Sequence, residues 1–169
     1  IEIPESVTEI GTNAFGDCTG LTSIEIPKSV TKIGAYTFSG CIGLTSIEIP
    51  ESVTEIGVYA FSGCTSLTSV IIPDSAMSIG VCVFADCTCL TNVLLFNGVT
   101  SIGGGAFRDC ASLTNVTIPD SVISIGADAF RECEALENVT FLGGVAVVEK
   151  GTFYCCKKLK SITLSNSIS

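Results

Sequence analysis

The sequence predicts a β-rich solenoid of seven repeats with a partial eighth, because three columns of residues recur at one fixed spacing. The first column consists of seven phenylalanines that stand 23 residues apart: Phe15, Phe38, Phe61, Phe84, Phe107, Phe130 and Phe153. Seven cysteines follow three residues later: Cys18, Cys41, Cys64, Cys87, Cys110, Cys133 and Cys156. Seven leucines follow after three more: Leu21, Leu44, Leu67, Leu90, Leu113, Leu136 and Leu159. Each repeat is therefore expected to form one coil that buries its apolar side against its neighbours.

The repeat that begins at Leu21 predicts a first strand in each coil. Ile24 and Ile26 flank the polar Glu25, which is the alternation of a strand with one buried face. Pro27 follows and cannot donate a ladder hydrogen bond, so the strand is expected to end there.

The second half of the same repeat predicts a short second strand and a tight turn. Val30 and Ile33 are spaced as in another short extended segment, and Gly34 then supplies a turn. Phe38 and Cys41 stand three residues apart, a spacing that fits one turn of 3₁₀-helix or α-helix.

The chain is expected to form a single solenoid domain over residues 1–169, since no change of composition suggests a linker. Hydrophobic residues make up 47% of the chain and charged residues 15%, which suits a narrow coil with an apolar interior. The sequence starts in repeat phase without Met, and residues 162–169 begin another repeat. Solenoids usually carry polar caps. Neither end has one, so we expect a fragment of a longer array.

Charge and residue types disfavour several classes of function. The net charge of −9 disfavours nucleic-acid binding, which needs a basic surface. No stretch approaches the ~18 apolar residues of a membrane span, so no membrane insertion is expected. The absence of His removes the usual general base, and no glycine-rich phosphate cradle is present. The sequence therefore predicts a protein that is not an enzyme and needs no cofactor.

The repeat unit I-x-I-P-x-S-V-T-x-I-G-x-x-A-F-x-x-C-x-x-L-T-S resembles the BspA-like, or Treponema pallidum-type, leucine-rich repeat. The resemblance covers the whole chain, and residues 24–46 match residues 47–69 at 17 of 23 positions. It implies a right-handed coil with a concave parallel sheet. It also implies an extracellular or cell-surface location, because the family occurs in surface proteins of anaerobic bacteria and mucosal protozoa. Some members are adhesins that bind host matrix proteins or other microbes, but no motif within the repeat carries that activity.

The cysteine column is predicted to be a buried, reduced row. Equivalent residues of neighbouring coils stand about 4.8 Å apart with parallel side chains, whereas a disulfide needs converging Cβ atoms about 3.8 Å apart. Cys82, Cys89 and Cys155 lie outside this column at positions expected to be exposed. They are either free thiols or, for Cys82 and Cys89, a disulfide. A metal site is not expected, because there is no His and no pair of cysteines with a two-residue spacer.

One outward column of the first strands is the default binding surface of such a solenoid. The column reads Glu2, Glu25, Glu48, Ile71, Leu94, Thr117, Thr140 and Thr163. Its stacked carboxylates offer too few oxygens for a defined calcium site. The column then becomes apolar at Ile71 and Leu94, with Phe96 nearby in place of the usual proline. This apolar stretch is either a contact site or local variation that covers the altered turn at residues 97–98.

Two further columns carry side chains that could matter at the surface. Tyr36 and Tyr59 stack on a turn, where they either contact a partner or shield the edge of the core. Lys28 and Lys32 each lie between acidic residues of the coils above and below, so both are expected to form ion pairs that fix the register.

Two functions from different classes remain. The first is an adhesin-like protein-binding module that contacts host matrix or microbial surface proteins. Its candidate contact residues are Glu25, Glu48, Ile71, Leu94, Phe96, Tyr36 and Tyr59. The second is a structural spacer or filament in which copies of the segment stack end to end through exposed strand edges.

Overall fold

The computed structural model describes residues 2–164, which wind into a β-solenoid and confirm the predicted fold class. Every strand pairing is parallel and joins a residue to the one 23 positions away, as in Ile10 with Ile33. The sequence period is therefore the hydrogen-bonding register of the coil.

Within residues 2–164, twelve short strands build the solenoid. In chain order they are β1 (Glu9–Ile10), β2 (Lys32–Ile33), β3 (Glu55–Ile56), β4 (Ser69–Ile72), β5 (Ser78–Ile79), β6 (Asn92–Leu95), β7 (Ser101–Ile102), β8 (Asn115–Ile118), β9 (Ser124–Ile125), β10 (Asn138–Phe141), β11 (Val147–Val148) and β12 (Ser161–Leu164). The four-residue strands pair as β4-β6 and as β8-β10-β12, and the two-residue strands pair as β1-β2-β3 and as β5-β7-β9-β11. We call the side formed by the four-residue strands and the equivalent residues 24–26 and 47–49 the first-strand face.

The predicted core columns are confirmed. The five phenylalanines from Phe38 to Phe130 are fully buried, and the seven rings stack with centroids 5.2–5.7 Å apart and interplanar angles of 11° or less. Leu44 through Leu136 are also fully buried in their column, next to the rings. Because each ring packs on the rings before and after it, the phenylalanine column joins all the coils into one core.

The turn after each second strand differs from the expected 3₁₀-helical or α-helical turn, and residues 2–164 contain no helix. In the third coil, amides bond to carbonyls three residues back, as from Ser62 to Tyr59 at 3.1 Å and from Cys64 to Phe61 at 3.3 Å. Tyr59 and Gly63, however, have φ angles of 58° and 73°. A helix needs consecutive right-handed residues, so these left-handed positions divide the segment into separate turns.

The same two left-handed positions recur in all seven coils. The first column is Asn13, Tyr36, Tyr59, Cys82, Gly105, Asp128 and Gly151, and the second is Asp17, Gly40, Gly63, Asp86, Asp109, Glu132 and Cys155. This geometry aims alternate amides at the next coil: the Tyr36 amide donates to the Val58 carbonyl at 3.0 Å, and Phe38 donates to Ala60 at 2.7 Å. The turns therefore form a third hydrogen-bonded ladder, which we call the turn ladder.

The first strands expected at residues 24–26 and 47–49 are not regular. Glu2 and Glu25 form an isolated bridge, and within residues 2–164 the amides of Ile47, Glu48 and Ile49 donate no backbone hydrogen bond. Regular first-strand pairing is found between β4 and β6 and among β8, β10 and β12, whereas β6 and β8 are not paired with each other. Glu has a low β propensity, and like charges in register oppose pairing, which disfavours a regular ladder at Glu25 and Glu48. The gap between β6 and β8, at Leu94 and Thr117, involves no charged outward residue.

Candidate functional site

Five of the seven predicted contact residues lie together on the first-strand face. Ile71 on β4 and Leu94 on β6 are paired directly across the ladder, and Phe96 follows Leu94 by two positions. They are 51%, 42% and 37% exposed, respectively. Glu25 and Glu48 precede Ile71 in the same column. We refer to Ile71, Leu94 and Phe96 as the apolar patch.

Strand alternation fixes the direction of the apolar patch. Ile72 and Leu95 follow the outward residues and are buried, so Ile71 and Leu94 must face away from the core. Because both side chains sit on paired strands, the patch is held in place by backbone hydrogen bonds and does not depend on a loop.

The altered turn beside the patch is closed by polar contacts. The Gly98 amide donates to Asp74 Oδ1 at 3.1 Å, and a Cβ at Gly98 would lie only 1.7 Å from the Asp74 carbonyl oxygen. Gly98 therefore permits a close approach between neighbouring coils that other residues would block. Phe96, which precedes this turn, keeps much of its ring in solvent.

An acidic cleft lies next to the apolar patch. Its volume is about 350 Å³. The lining residues are Glu5, Glu25, Ile26, Pro27, Lys28, Glu48 and Pro50. Among the described residues, no ion pair engages Glu25, Glu48 or Lys28. The cleft therefore presents three carboxylates, those of Glu5, Glu25 and Glu48, against one lysine, and none of them forms an ion pair among the described residues.

The two predicted lysine pairings have different outcomes. Lys32 lies 3.8 Å from Glu9 and 3.4 Å from Glu55, which confirms its ion pairs on the second strands. The pairing expected for Lys28 is wrong. Lys28 follows Pro27, beyond the unpaired stretch of the first strand, so no regular ladder holds its neighbours in register.

The carboxylates of the acidic column are not grouped as the ligands of one metal ion would be. Within residues 2–164, no group of three or more His, Cys, Asp or Glu side chains is placed to hold a metal ion. The same residues include no helix that is long and apolar enough to cross a membrane.

The two predicted tyrosines lie on the turn ladder, away from the first-strand face. The rings of Tyr36 and Tyr59 are parallel within 3°, with centroids 5.0 Å apart. Both residues are left-handed, which is unfavourable for a bulky side chain. The neighbouring Cys82 side chain raises the pKa of the Tyr59 hydroxyl. The stack is a local feature of the turn and is not continuous with the apolar patch.

The cysteine column combines packing with a hydrogen bond that the sequence interpretation missed. Cys64 and Cys110 are fully buried, as predicted, and no disulfide joins the column. Each thiol from Cys41 to Cys156 also donates to the carbonyl of a phenylalanine 26 residues earlier, at 3.1–3.2 Å. Burial raises the pKa of the Cys64 thiol from 9.0 to about 12. The constant Phe-x-x-Cys spacing was the available signal for this bond.

The three other cysteines are free, so Cys82 and Cys89 form no disulfide. Cys89 is exposed and Cys155 is half-buried, but the expected exposure of Cys82 is wrong because its side chain is buried. Its sulfur fills space left by Gly105 of the next coil, where a Cβ would lie 2.8 Å away. The glycine at that position could have indicated the close approach.

Sequence reasoning also missed two arginines on the turn edge. Arg108 lies 3.5 Å from Asp86, and Arg131 lies 3.1 Å from Glu132 and stacks over Tyr154 with its guanidinium carbon 5.0 Å from the ring centroid. These contacts are partly exposed and each contributes little to stability. The two arginines occupy one column beside the acidic members of the second left-handed column, which is the signal that could have identified them.

Comparisons with known proteins agree on the repeat type. The family model described as the BspA type leucine rich repeat region matches residues 1–113 and 100–169, with six copies. No curated protein matches the sequence.

Solved structures of three bacterial proteins are similar over most of the chain. A leucine rich cell surface protein from Faecalibacterium prausnitzii is 30% identical with a TM-score of 0.71, over 98% of this chain and 53% of that one. The Treponema pallidum leucine rich repeat protein is 38% identical with a TM-score of 0.81, over 90% and 72% of the two chains. A leucine-rich repeat protein from Eubacterium ventriosum is 26% identical with a TM-score of 0.83, over 99% and 43%.

The chain thus spans between 43% and 72% of the length of these three relatives. The family model matches the repeat pattern along the whole sequence, and the structure shows that this pattern is the coil itself. The chain belongs to the BspA-type leucine-rich repeat family.

Proposed function

We propose that the chain is a non-enzymatic, adhesin-like protein-binding module of a cell-surface or secreted protein, and that it binds through the first-strand face. The apolar patch carries this proposal, because Ile71 and Leu94 lie exposed on paired strands and the exposed Phe96 follows Leu94 by two positions. The likeness to a protein described as a leucine rich cell surface protein supports the location. Host matrix proteins and microbial surface proteins are the proposed partners.

The physical basis is a preorganised surface. The core columns serve the scaffold, and Ile71 and Leu94 stand on neighbouring strands about 4.8 Å apart. Since the backbone is ordered before a partner arrives, binding costs little conformational entropy. Burying exposed apolar side chains at an interface then contributes favourably to affinity.

Saturable binding to immobilised matrix proteins and to bacterial cells tests this proposal. We expect the double variant Ile71→Thr and Leu94→Thr, which introduces the residue found at Thr117 and Thr140, to weaken binding about tenfold or more. Ile123→Thr is the matched control, since Ile123 is exposed outside the first-strand face in a column where four other coils carry Thr, at Thr8, Thr31, Thr54 and Thr100. Equal binding by the double variant and the wild-type protein would contradict the proposed surface.

Self-assembly is the second candidate function, and one observation favours it. Among the described residues, Val148 on β11 and Ile162 and Leu164 on β12 are exposed apolar side chains. Open edges with apolar side chains are templates for association. End-to-end stacking predicts a mass that grows with protein concentration in light scattering, and a monomer at high concentration would rule it out.

A further inference from the structure

We propose that the first-strand face binds a cationic protein segment that carries one large apolar side chain as an anchor. The cationic side chains lie between Glu25 and Glu48, and the anchor packs on the apolar patch. This inference rests on the proposed function and specifies the partner's chemistry. An acidic surface directly beside an apolar one is complementary to a segment with the opposite charge and one large apolar residue.

The charge argument begins with the unpaired carboxylates. Glu25 and Glu48 occupy adjacent coils of one column, and no lysine or arginine of residues 2–164 pairs with either. Glu5 adds a third carboxylate to the same cleft, against one lysine, Lys28. An anionic or purely apolar segment would leave the electrostatic repulsion between these carboxylates in place, whereas a cationic side chain would relieve it.

The distances suit a short extended segment. Rungs of a parallel sheet are about 4.8 Å apart, so Glu48 lies one rung and Glu25 two rungs from Ile71. An extended chain rises about 3.3 Å per residue, so two to four residues separate the cationic groups from the anchor. Arginine fits better than lysine, since its planar fork can donate to two carboxylates at once.

A second copy of this chain is a poorer occupant than a separate partner. The chain carries a net charge of −9, and half of its eight basic residues lie between Lys150 and Lys160. Two of these are already engaged, with Lys157 near Glu134 and Lys160 near Glu137 in ion pairs of 2.6 Å and 3.0 Å.

A synthetic peptide of about ten residues tests the inference. It carries two arginines followed three residues later by one leucine, and its affinity is measured by fluorescence anisotropy. Glu25→Gln with Glu48→Gln is expected to weaken binding about fivefold or more, through loss of two partly screened ion pairs. Glu9→Gln with Glu55→Gln removes the same charge outside the first-strand face and is expected to leave the affinity unchanged. High salt is expected to weaken binding to the wild-type protein more than to the Glu25 and Glu48 variant.

Several outcomes would overturn the inference. The first is that the peptide does not bind measurably, and the second is that the two double glutamine variants bind it equally well. The third is that a peptide with glutamates in place of the arginines binds as well as the original peptide. The fourth is that the protein self-associates in a way that depends on Glu25 and Glu48. The results that test the proposed function can be distinguished from those that test this inference. Loss of matrix or cell binding in the Ile71 and Leu94 variant, with full binding in the Glu25 and Glu48 variant, would support the apolar surface and reject the cationic partner.

Discussion

At the residue scale, each buried cysteine of the cysteine column meets two requirements of its site. The side chain is small enough for the narrow interior, and its thiol donates to a phenylalanine carbonyl of the preceding coil. Alanine would fill less space and donate nothing, while valine would be larger and also lack a donor.

Replacing one buried cysteine of the cysteine column tests this explanation. We expect Cys110→Ala to lower the free energy of unfolding by about 1–2 kcal/mol, since it leaves a small cavity and removes the bond to the Phe84 carbonyl. Cys89→Ala, at an exposed cysteine, is expected to change it by less than about 0.5 kcal/mol. Urea denaturation measures both, and equal effects of the two changes would refute the account.

Thiol reactivity gives a second residue-scale prediction. Burial raises the pKa of Cys64 to about 12 and that of Cys156 to about 11, so both stay protonated at pH 8 and resist alkylation. Exposed Cys89 is expected to react first with iodoacetamide, as followed by mass spectrometry. Native-state labelling of Cys64 as fast as Cys89 would contradict this.

The raised pKa of Cys64 also determines how the stability of the protein depends on pH. Because the folded-state pKa of Cys64 lies above its ordinary value of 9.0, the stability from the buried thiol is complete below pH 9. It is lost as the pH rises from 9 towards about 12, because the unfolded state releases the proton first.

At the element scale, the left-handed turn positions control how closely coils approach. Gly105→Ala is expected to destabilise the protein by about 1–2 kcal/mol, because its φ of 62° is unfavourable for alanine and the new Cβ would lie 2.8 Å from the Cys82 sulfur. Gly20→Ala is the control, since a Cβ there meets no atom within 4 Å. Thermal or urea unfolding compares the two, and a neutral Gly105→Ala would mean that the turn relaxes freely.

The loosened strands of the early coils give a second element-scale prediction. Glu25→Thr with Glu48→Thr installs the residue that β8 and β10 carry at this position, and we expect it to restore pairing. Amide hydrogen exchange at residues 47–49 is then expected to slow about tenfold or more. Unchanged exchange would show that charge is not the cause of the open ladder.

At the scale of the whole molecule, the stacked phenylalanines join the coils into one cooperative unit. Phe84 is fully buried between two other rings, whereas Phe15 is only partly buried. Phe84→Ala is therefore expected to lower the unfolding free energy by about 3–5 kcal/mol, and Phe15→Ala by clearly less. Urea denaturation distinguishes them, and equal losses would argue against a core that is continuous from coil to coil.

The sequence predicted the properties that depend on one repeat taken alone. Period, register, strand order and the buried columns follow from the spacing of residues such as Phe61 and Leu67, because each position meets its own counterpart in the next coil. Properties that depend on two different positions in adjacent coils were not predictable in this way. The thiol bond to a phenylalanine carbonyl, the burial of Cys82 against Gly105 and the open ladder beside Glu48 all belong to this second group.

For the candidate site, the sequence identified the outward column but could not show which of its members act together. Ile71, Leu94 and Phe96 form one patch, whereas Tyr36 and Tyr59 lie on the turn ladder. That separation depends on where each segment lies around the coil.

The uniform 23-residue register also makes the length of the molecule adjustable. Every ladder joins a position to its own counterpart in the next coil, so adding or deleting one whole repeat leaves each rung with an equivalent partner. Residues 24–46 and 47–69 are similar enough to exchange neighbours in this way. Recombination between such repeats in the gene could thus lengthen or shorten the solenoid in steps of one coil, moving the apolar patch relative to either end without altering its local geometry.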